Sequence, residues 1–133
     1  MMIKQVVIGL FIGGLLQGCS ISNARQSLIV NGDWYQLGVN KGRWGEKAAA
    51  EESLLEDAKL VGEGISVDYQ TYLQGYQKGV ESYCTLEQVK QFGMEGKMEW
   101  GVCEFRRDED GLYKIFWQQG FERYVSFDGV GGH

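Results

Sequence analysis

Glycine and aromatic residues recur together at helical spacing, and this pattern constrains the fold more than any other feature of the chain. Tyr35-x-x-Gly38-Val39-x-x-Gly42 is similar to Tyr72-x-x-Gly75-Tyr76-x-x-Gly79, and Trp117-x-x-Gly120-Phe121-x-x-Tyr124 is a looser third copy. Offsets of three and seven residues fall on one helical face. Because a glycine inside a helix costs about 1 kcal/mol relative to alanine, several on one face indicate that another group approaches the backbone there.

These copies and the segments around them predict a mainly α fold, a small single-domain helical bundle of about four to five helices with glycine-mediated packing. We expect helices over 34–42, 46–60, 69–83, 86–92 and 112–124, and an irregular segment over 94–103. Asp33 and Thr85 stand where helix N-caps are expected, and either Ser66 or Asp68 can cap the helix that begins at Tyr69.

The middle copy carries a tyrosine stripe, which we define as the face of that helix formed by Tyr69, Tyr72, Tyr76 and Tyr83 with Gly75 and Gly79. Two interpretations stay open. The stripe packs against a neighbouring helix or ring, or it lines a groove that binds a ligand, because tyrosine offers both an apolar face and a polar tip.

The N-terminus has the features of a bacterial lipoprotein signal. Lys4 precedes an apolar run over 6–16, which is too short to span a bilayer, and Leu16-Gln17-Gly18-Cys19 follows. We expect residues 1–18 to be removed and Cys19 to carry the lipid. Residues 19–32 would then be a tether, 33–127 the helical domain and 128–133 a flexible tail. The alternative is a conventional cut after Ser22-Asn23-Ala24, which would release a soluble protein.

The residue after the cysteine bears on localisation. Ser20 stands where an aspartate would favour retention in the inner membrane of a Gram-negative cell. By resemblance to known lipoproteins, serine there implies an outer-membrane protein that faces the periplasm. The membrane is then the expected partner, through the lipid on Cys19.

The charge balance argues against two classes of partner. The whole chain has a net charge of −5, and the predicted signal contributes only the positive charge of Lys4. An acidic domain lacks the basic stripe that nucleic acid requires. The same acidity argues against electrostatic binding to anionic lipid.

The cysteines fit an exported protein once Cys19 is set aside. Cys84 and Cys103 remain, and an oxidising compartment favours a disulfide between them. Such a bridge would stabilise the fold by about 3 kcal/mol in the chain-entropy model. The alternative is two buried free thiols.

Few reactive groups remain. The single histidine is His133, so neither a Ser-His-Asp site nor a histidine-rich zinc site is expected. The acidic turn over 108–111 lacks the spacing of a calcium-binding loop, since Arg106 and Trp117 stand where acids would be needed. We therefore expect no cofactor and no metal.

Several segments together resemble a known family. They are Asp33-Trp34-Tyr35-x-x-Gly38-x-x-x-Gly42, Tyr72-x-x-Gly75-Tyr76-x-x-Gly79-x-x-x-Tyr83-Cys84, Gly93-x-x-Gly96 and Val102-Cys103. This set is similar to an uncharacterised family of small proteobacterial envelope lipoproteins, catalogued only as a domain of unknown function, over about 33–120. Family members often carry a further cysteine before the tyrosine stripe. Residues 46–62 have none here, which favours the single Cys84–Cys103 bridge.

The resemblance implies no activity, so function is inferred from the residues. The leading expectation is a lipid-anchored envelope protein without catalysis, which contacts an envelope protein, a cell-wall glycan or a small ligand. The alternative is a periplasm-facing hydrolase that acts on an envelope polymer with paired carboxylates. The carboxylates available for that reaction are Asp33, Asp68, Glu81 and Glu104.

Overall fold

The computed structural model describes residues 21–131, with side chains through residue 127. Within this range the chain forms six α-helices and one 3-10 helix and contains no strand. The elements are α1 (Asn23–Val30), α2 (Trp34–Arg43), α3 (Glu51–Val61), α4 (Tyr69–Tyr83), α5 (Leu86–Met94), the 3-10 helix (Gly101–Arg106) and α6 (Leu112–Gly131). The predicted mainly α, single-domain fold is confirmed. The predicted signal peptide (1–18) and Cys19 lie outside the described residues.

Side-chain caps start the principal helices. The Asp33 carboxylate accepts the backbone N–H of Gln36 at 3.1 Å, and the Asp68 carboxylate accepts that of Thr71 at 3.1 Å. The Thr85 hydroxyl does the same for Gln88 at 3.1 Å. Each of these bonds satisfies a donor that has no partner inside the helix. The caps predicted at Asp33 and Thr85 are therefore confirmed, and Asp68 rather than Ser66 caps α4.

Helices α2 and α4 pack in parallel through their glycines. A Cβ added to Gly38 would lie 2.6 Å from the backbone nitrogen of Tyr76, and one added to Gly42 would lie 2.6 Å from that of Val80. The opposing residue advances by four on both helices, so they run in the same direction. Gly75 meets the backbone of Tyr35 in the same way. The two clearest sequence copies thus pack against each other, with carbonyl oxygens close to glycine Cα atoms.

Helices α5 and α6 repeat this arrangement. A Cβ on Gly93 would lie 2.8 Å from the nitrogen of Phe121, and one on Gly120 would lie 2.9 Å from that of Met94. The looser third copy on α6 therefore has a partner on α5, Lys90-x-x-Gly93, which the sequence pattern did not indicate. It was missed because Lys90 stands where the other copies have an aromatic residue.

The structure differs from the predicted boundaries in three places. Part of the predicted tether forms α1, which Ser22 caps and whose Ile29 is fully buried. The third helix begins at Glu51, so that residues 46–50 are not helical. The last helix continues to Gly131, past its predicted end at residue 124.

The core has two clusters joined by α4. The first gathers residues from α1 to α4, and the second surrounds the disulfide between Cys84 and Cys103. Their fully or nearly fully buried members are Ile29, Trp34, Leu37, Leu54, Ala58 and Tyr72 in the first, and Val80, Cys84, Val89, Phe92, Trp100 and Cys103 in the second. The predicted disulfide is confirmed, and it ties the end of α4 to the 3-10 helix.

Among residues 21–131, none of the helices is both long enough and apolar enough to cross a bilayer.

Candidate functional site

The tyrosine stripe of α4 is covered by the chain itself. The Tyr76 hydroxyl donates to the carbonyl oxygen of Glu46 at 2.8 Å, and the Tyr69 hydroxyl donates to that of Ala49 at 2.8 Å. Between them, the Tyr72 hydroxyl accepts the backbone N–H of Ala49 at 3.0 Å. Residues 46–49 thus lie along the stripe, and their backbone groups use its hydroxyls.

The rings of the stripe also stack on one another. The ring centroids of Tyr69 and Tyr72 are 5.7 Å apart, and those of Tyr72 and Tyr76 are 6.5 Å apart. Tyr72 is buried. Partial burial of Tyr76 raises the pKa of its own hydroxyl. Tyr83 lies at the end of the stripe, where its ring packs against Gly45. In this arrangement the tyrosine rings pack within the domain, and the hydroxyls of Tyr69, Tyr72 and Tyr76 are bonded to residues 46–49.

The stripe's glycines face another helix. Gly75 lies against the backbone of Tyr35, and Gly79 lies against the backbone of Val39 and Arg43. All three of these neighbours are on α2. No room remains at these positions for a ligand, because even a methyl group would meet backbone atoms.

The candidate carboxylates lie at different positions in the fold and have different structural roles. Asp33 and Asp68 each cap a helix, and hydrogen bonds from the Thr71 hydroxyl and the Thr71 N–H lower the pKa of Asp68. Glu81 is exposed on α4. Glu104 lies in the 3-10 helix, where it pairs with Arg107. Within residues 21–131 no group of three or more His, Cys, Asp or Glu side chains is arranged to hold a metal ion.

Glu104 organises a small polar cluster around Trp100. Its carboxylate accepts the backbone N–H of Trp100 at 2.7 Å and two N–H groups of Arg107, at 2.8 and 3.1 Å. The Arg107 guanidinium lies over the Trp100 ring, 4.2 Å from its centroid. Hydrogen bonds from Arg107, and then from the Trp100 backbone, hold the pKa of Glu104 below its usual value. The Glu104 carboxylate thus binds the backbone at the start of the 3-10 helix.

Arg106 fastens the 3-10 helix to the end of α4. Its guanidinium donates to the carbonyl oxygens of Cys84 and Glu81, both at 3.2 Å, and pairs with Glu109. These carbonyls lie at a helix C-terminus, where they lack partners within the helix. The sequence interpretation did not single out Arg106 or Arg107. The Glu104-x-x-Arg107 spacing within one helical turn is the signal that could have identified the second of them.

Large apolar side chains are exposed in several regions of the surface, and two of these regions are candidate binding surfaces. On α6 these side chains are Leu112 (42%), Ile115 (53%), Val125 (50%) and Phe127 (79%). The other is Trp44, just after α2, whose side chain is 73% exposed. Neither region was singled out from the sequence, because exposure depends on which faces the tertiary structure covers.

Comparison with known proteins identifies a family. No curated protein and no solved structure matched the chain. A family model described as "Protein of unknown function (DUF2799)" matches residues 33–122, which run from the cap of α2 into α6. This range contains both glycine-packed helix pairs and the disulfide. The chain therefore belongs to the DUF2799 family of proteins of unknown function.

Proposed function

We propose that this protein is a lipid-anchored protein of the bacterial envelope that works by binding another envelope protein rather than by catalysis. Processing at Leu16-Gln17-Gly18-Cys19 would leave Cys19 as the acylated first residue, held at the outer membrane and facing the periplasm. Two or more acyl chains make attachment stable, whereas a single chain binds only reversibly.

The observation that carries the binding role is the exposed apolar surface of α6. Leu112 and Ile115 lie in its first turns and Val125 and Phe127 near its end, and each is at least two-fifths exposed. Contiguous apolar surface marks sites that bind other proteins, and these side chains would contribute to such a site. The carboxylates considered for hydrolysis support the same view, because Asp33 and Asp68 serve as caps and Glu104 is held by Arg107.

The anchor is tested by mass spectrometry of the protein purified from membranes. We expect acyl chains on Cys19 and release of a Cys19→Ala variant from the membrane fraction. An unmodified thiol at Cys19 in a protein found free in the periplasm would overturn this part of the proposal.

The binding role is tested by cross-linking in intact cells with Ile115→Glu as the variant and Leu60→Glu as the control. Leu60 lies on α3 and is 74% exposed, so both changes add one charge to an exposed apolar position. We expect Ile115→Glu to abolish a cross-linked product that wild type and Leu60→Glu retain. Cross-links found only between copies of this chain would show self-association instead of binding to another protein. Degradation of a wall polymer that Glu81→Gln abolishes would show an enzyme instead.

A further inference from the structure

The exposed Trp44 lies beside the start of the described chain. Helices α1 and α2 run in opposite directions through the short turn at 31–33, so the first residues of α1 meet the end of α2. Ser22 and Trp44 line the same open cleft, together with Arg25 and Lys41. The end of the domain that bears Trp44 is therefore the end from which the N-terminal segment leaves.

Trp44 differs from the tryptophans of the core. Its side chain is 73% exposed, whereas those of Trp34 and Trp100 are 3% and 1% exposed. Transfer of an exposed indole from water to the headgroup region of a membrane is favourable, because the ring is shielded there from water and its N–H stays hydrogen-bonded. Trp44 thus has the chemistry of a membrane-interface residue.

Two basic residues lie close to Trp44 in the sequence, although the chain as a whole is acidic. Arg43 and Lys47 flank it, both are exposed, and neither forms an ion pair within the part of the chain that the structure describes. Lys41 also lies at this end, paired with Glu46. Cations near a membrane surface are attracted to anionic lipid. The acidic net charge of the whole chain therefore does not reveal this local basic patch of Arg43 and Lys47.

The distance to Cys19 decides whether this patch can reach a membrane. Ser22 is three residues after Cys19. Three residues span at most about 11 Å even when fully extended. Since an acylated Cys19 would hold its sulfur at the membrane surface, Ser22 would lie within that distance of the lipid headgroups, and the cleft that Ser22 and Trp44 line would begin there.

We infer that Trp44, Arg43 and Lys47 form a membrane-contact face that lies in the headgroup layer and fixes the orientation of the domain on the membrane. This inference rests on the proposed lipidation of Cys19. The occupant of the face is a phospholipid surface that contains anionic lipid. The opposite end of the α2–α4 pair, with the Asp33 and Asp68 caps, then points away from the membrane.

The test uses the mature lipidated protein in vesicles of phosphatidylethanolamine and phosphatidylglycerol whose acyl chains are brominated. Bromine quenches tryptophan fluorescence only at short range. The chain has four tryptophans. We expect quenching of the wild-type protein that is lost in Trp44→Phe and kept in the control Trp117→Phe. An Arg43→Gln/Lys47→Gln variant should lose most of the quenching that phosphatidylglycerol adds over phosphatidylethanolamine alone.

Failures of the two proposals are separated by a mass spectrum of the same sample. Acyl chains on Cys19 without any quenching, or with quenching that Trp44→Phe leaves unchanged, would overturn the membrane-contact face and leave the lipoprotein proposal standing. An unmodified Cys19 would overturn both. Circular dichroism of each variant, the Trp117→Phe control included, checks that helical content is retained. We expect it to be retained in the variants of Trp44, Arg43 and Lys47, because these three side chains are exposed.

Discussion

The hydroxyl of Tyr72 accepts a hydrogen bond from the backbone N–H of Ala49 at 3.0 Å. Tyr72 is buried in the first turn of α4, and Ala49 belongs to the non-helical segment that lies across it. This bond therefore ties the connection between α2 and α3 to the stripe.

Removal of this hydroxyl should weaken the fold. In Tyr72→Phe the N–H of Ala49 loses its partner at a part-buried position, so we expect the free energy of unfolding to fall by about 1–2 kcal/mol. Tyr76→Phe is the matched control. Its hydroxyl bonds an exposed carbonyl that water can satisfy, so the loss should be smaller. Urea titration followed by circular dichroism measures both, and equal losses would contradict the role given to Tyr72.

Gly75→Ala should separate the parallel helices. The new Cβ would lie 2.7 Å from the carbonyl carbon of Tyr35, so the backbones must move apart. We expect the free energy of unfolding to fall by about 1–3 kcal/mol, as for an overpacked core. The loss is expected even though alanine favours a helix more than glycine does. Gln74→Ala, at an exposed position one residue earlier, should be nearly neutral in the same thermal melt. A Gly75→Ala variant that is as stable as wild type would show that the close approach is dispensable.

The Cys84–Cys103 bridge should contribute a large part of the stability. Reduction, or the double change Cys84→Ala/Cys103→Ala, removes a link that closes a loop with a sequence separation of 19. We expect the free energy of unfolding to fall by about 3 kcal/mol. The midpoint of urea unfolding with and without dithiothreitol measures this. The double variant is the control, because its midpoint should not respond to the reductant.

Acid should weaken the fold through Glu104. Arg107 and the Trp100 backbone lower the pKa of this carboxyl in the folded protein relative to the unfolded chain. The stabilisation is therefore present above the unfolded pKa and is lost as the pH falls through the folded pKa. Glu104→Gln should be less stable than wild type at neutral pH and should lose less stability on acidification.

The control for this pH dependence is Glu63→Gln. Glu63 is exposed and forms no ion pair within residues 21–131, so its acid unfolding curve should follow that of wild type. Identical curves for wild type and Glu104→Gln would mean that the Arg107 contact does not stabilise the folded protein.

The sequence predicts the helices best where local signals agree. Asp33 and Thr85 were identifiable as caps because each precedes a helical pattern and has a glutamine three residues later. The disulfide followed from the two cysteines left after Cys19 is assigned to lipid. The glycine spacing indicated close helix contact, and the structure identifies the partners.

The errors arose where tertiary contacts override local preference. Residues 46–50 contain good helix formers, yet the hydroxyls of Tyr69, Tyr72 and Tyr76 hold this segment in another conformation. Residues 23–30 read as a polar tether, yet burial of Ile29 and the Ser22 cap favour a helix. The surfaces of α6 and Trp44 could not be predicted, since a sequence does not show which apolar side chains are left uncovered.

Parallel packing of α2 and α4 places two helix dipoles side by side with their positive poles together, which is an unfavourable arrangement. Asp33 and Asp68 each put a carboxylate at one of these poles, and α2 ends with Lys41 and Arg43 at the negative pole. Charges so placed offset the repulsion between the aligned dipoles. The α2–α4 pair thus has a carboxylate at the start of each helix, and α2 alone has basic residues at its opposite end.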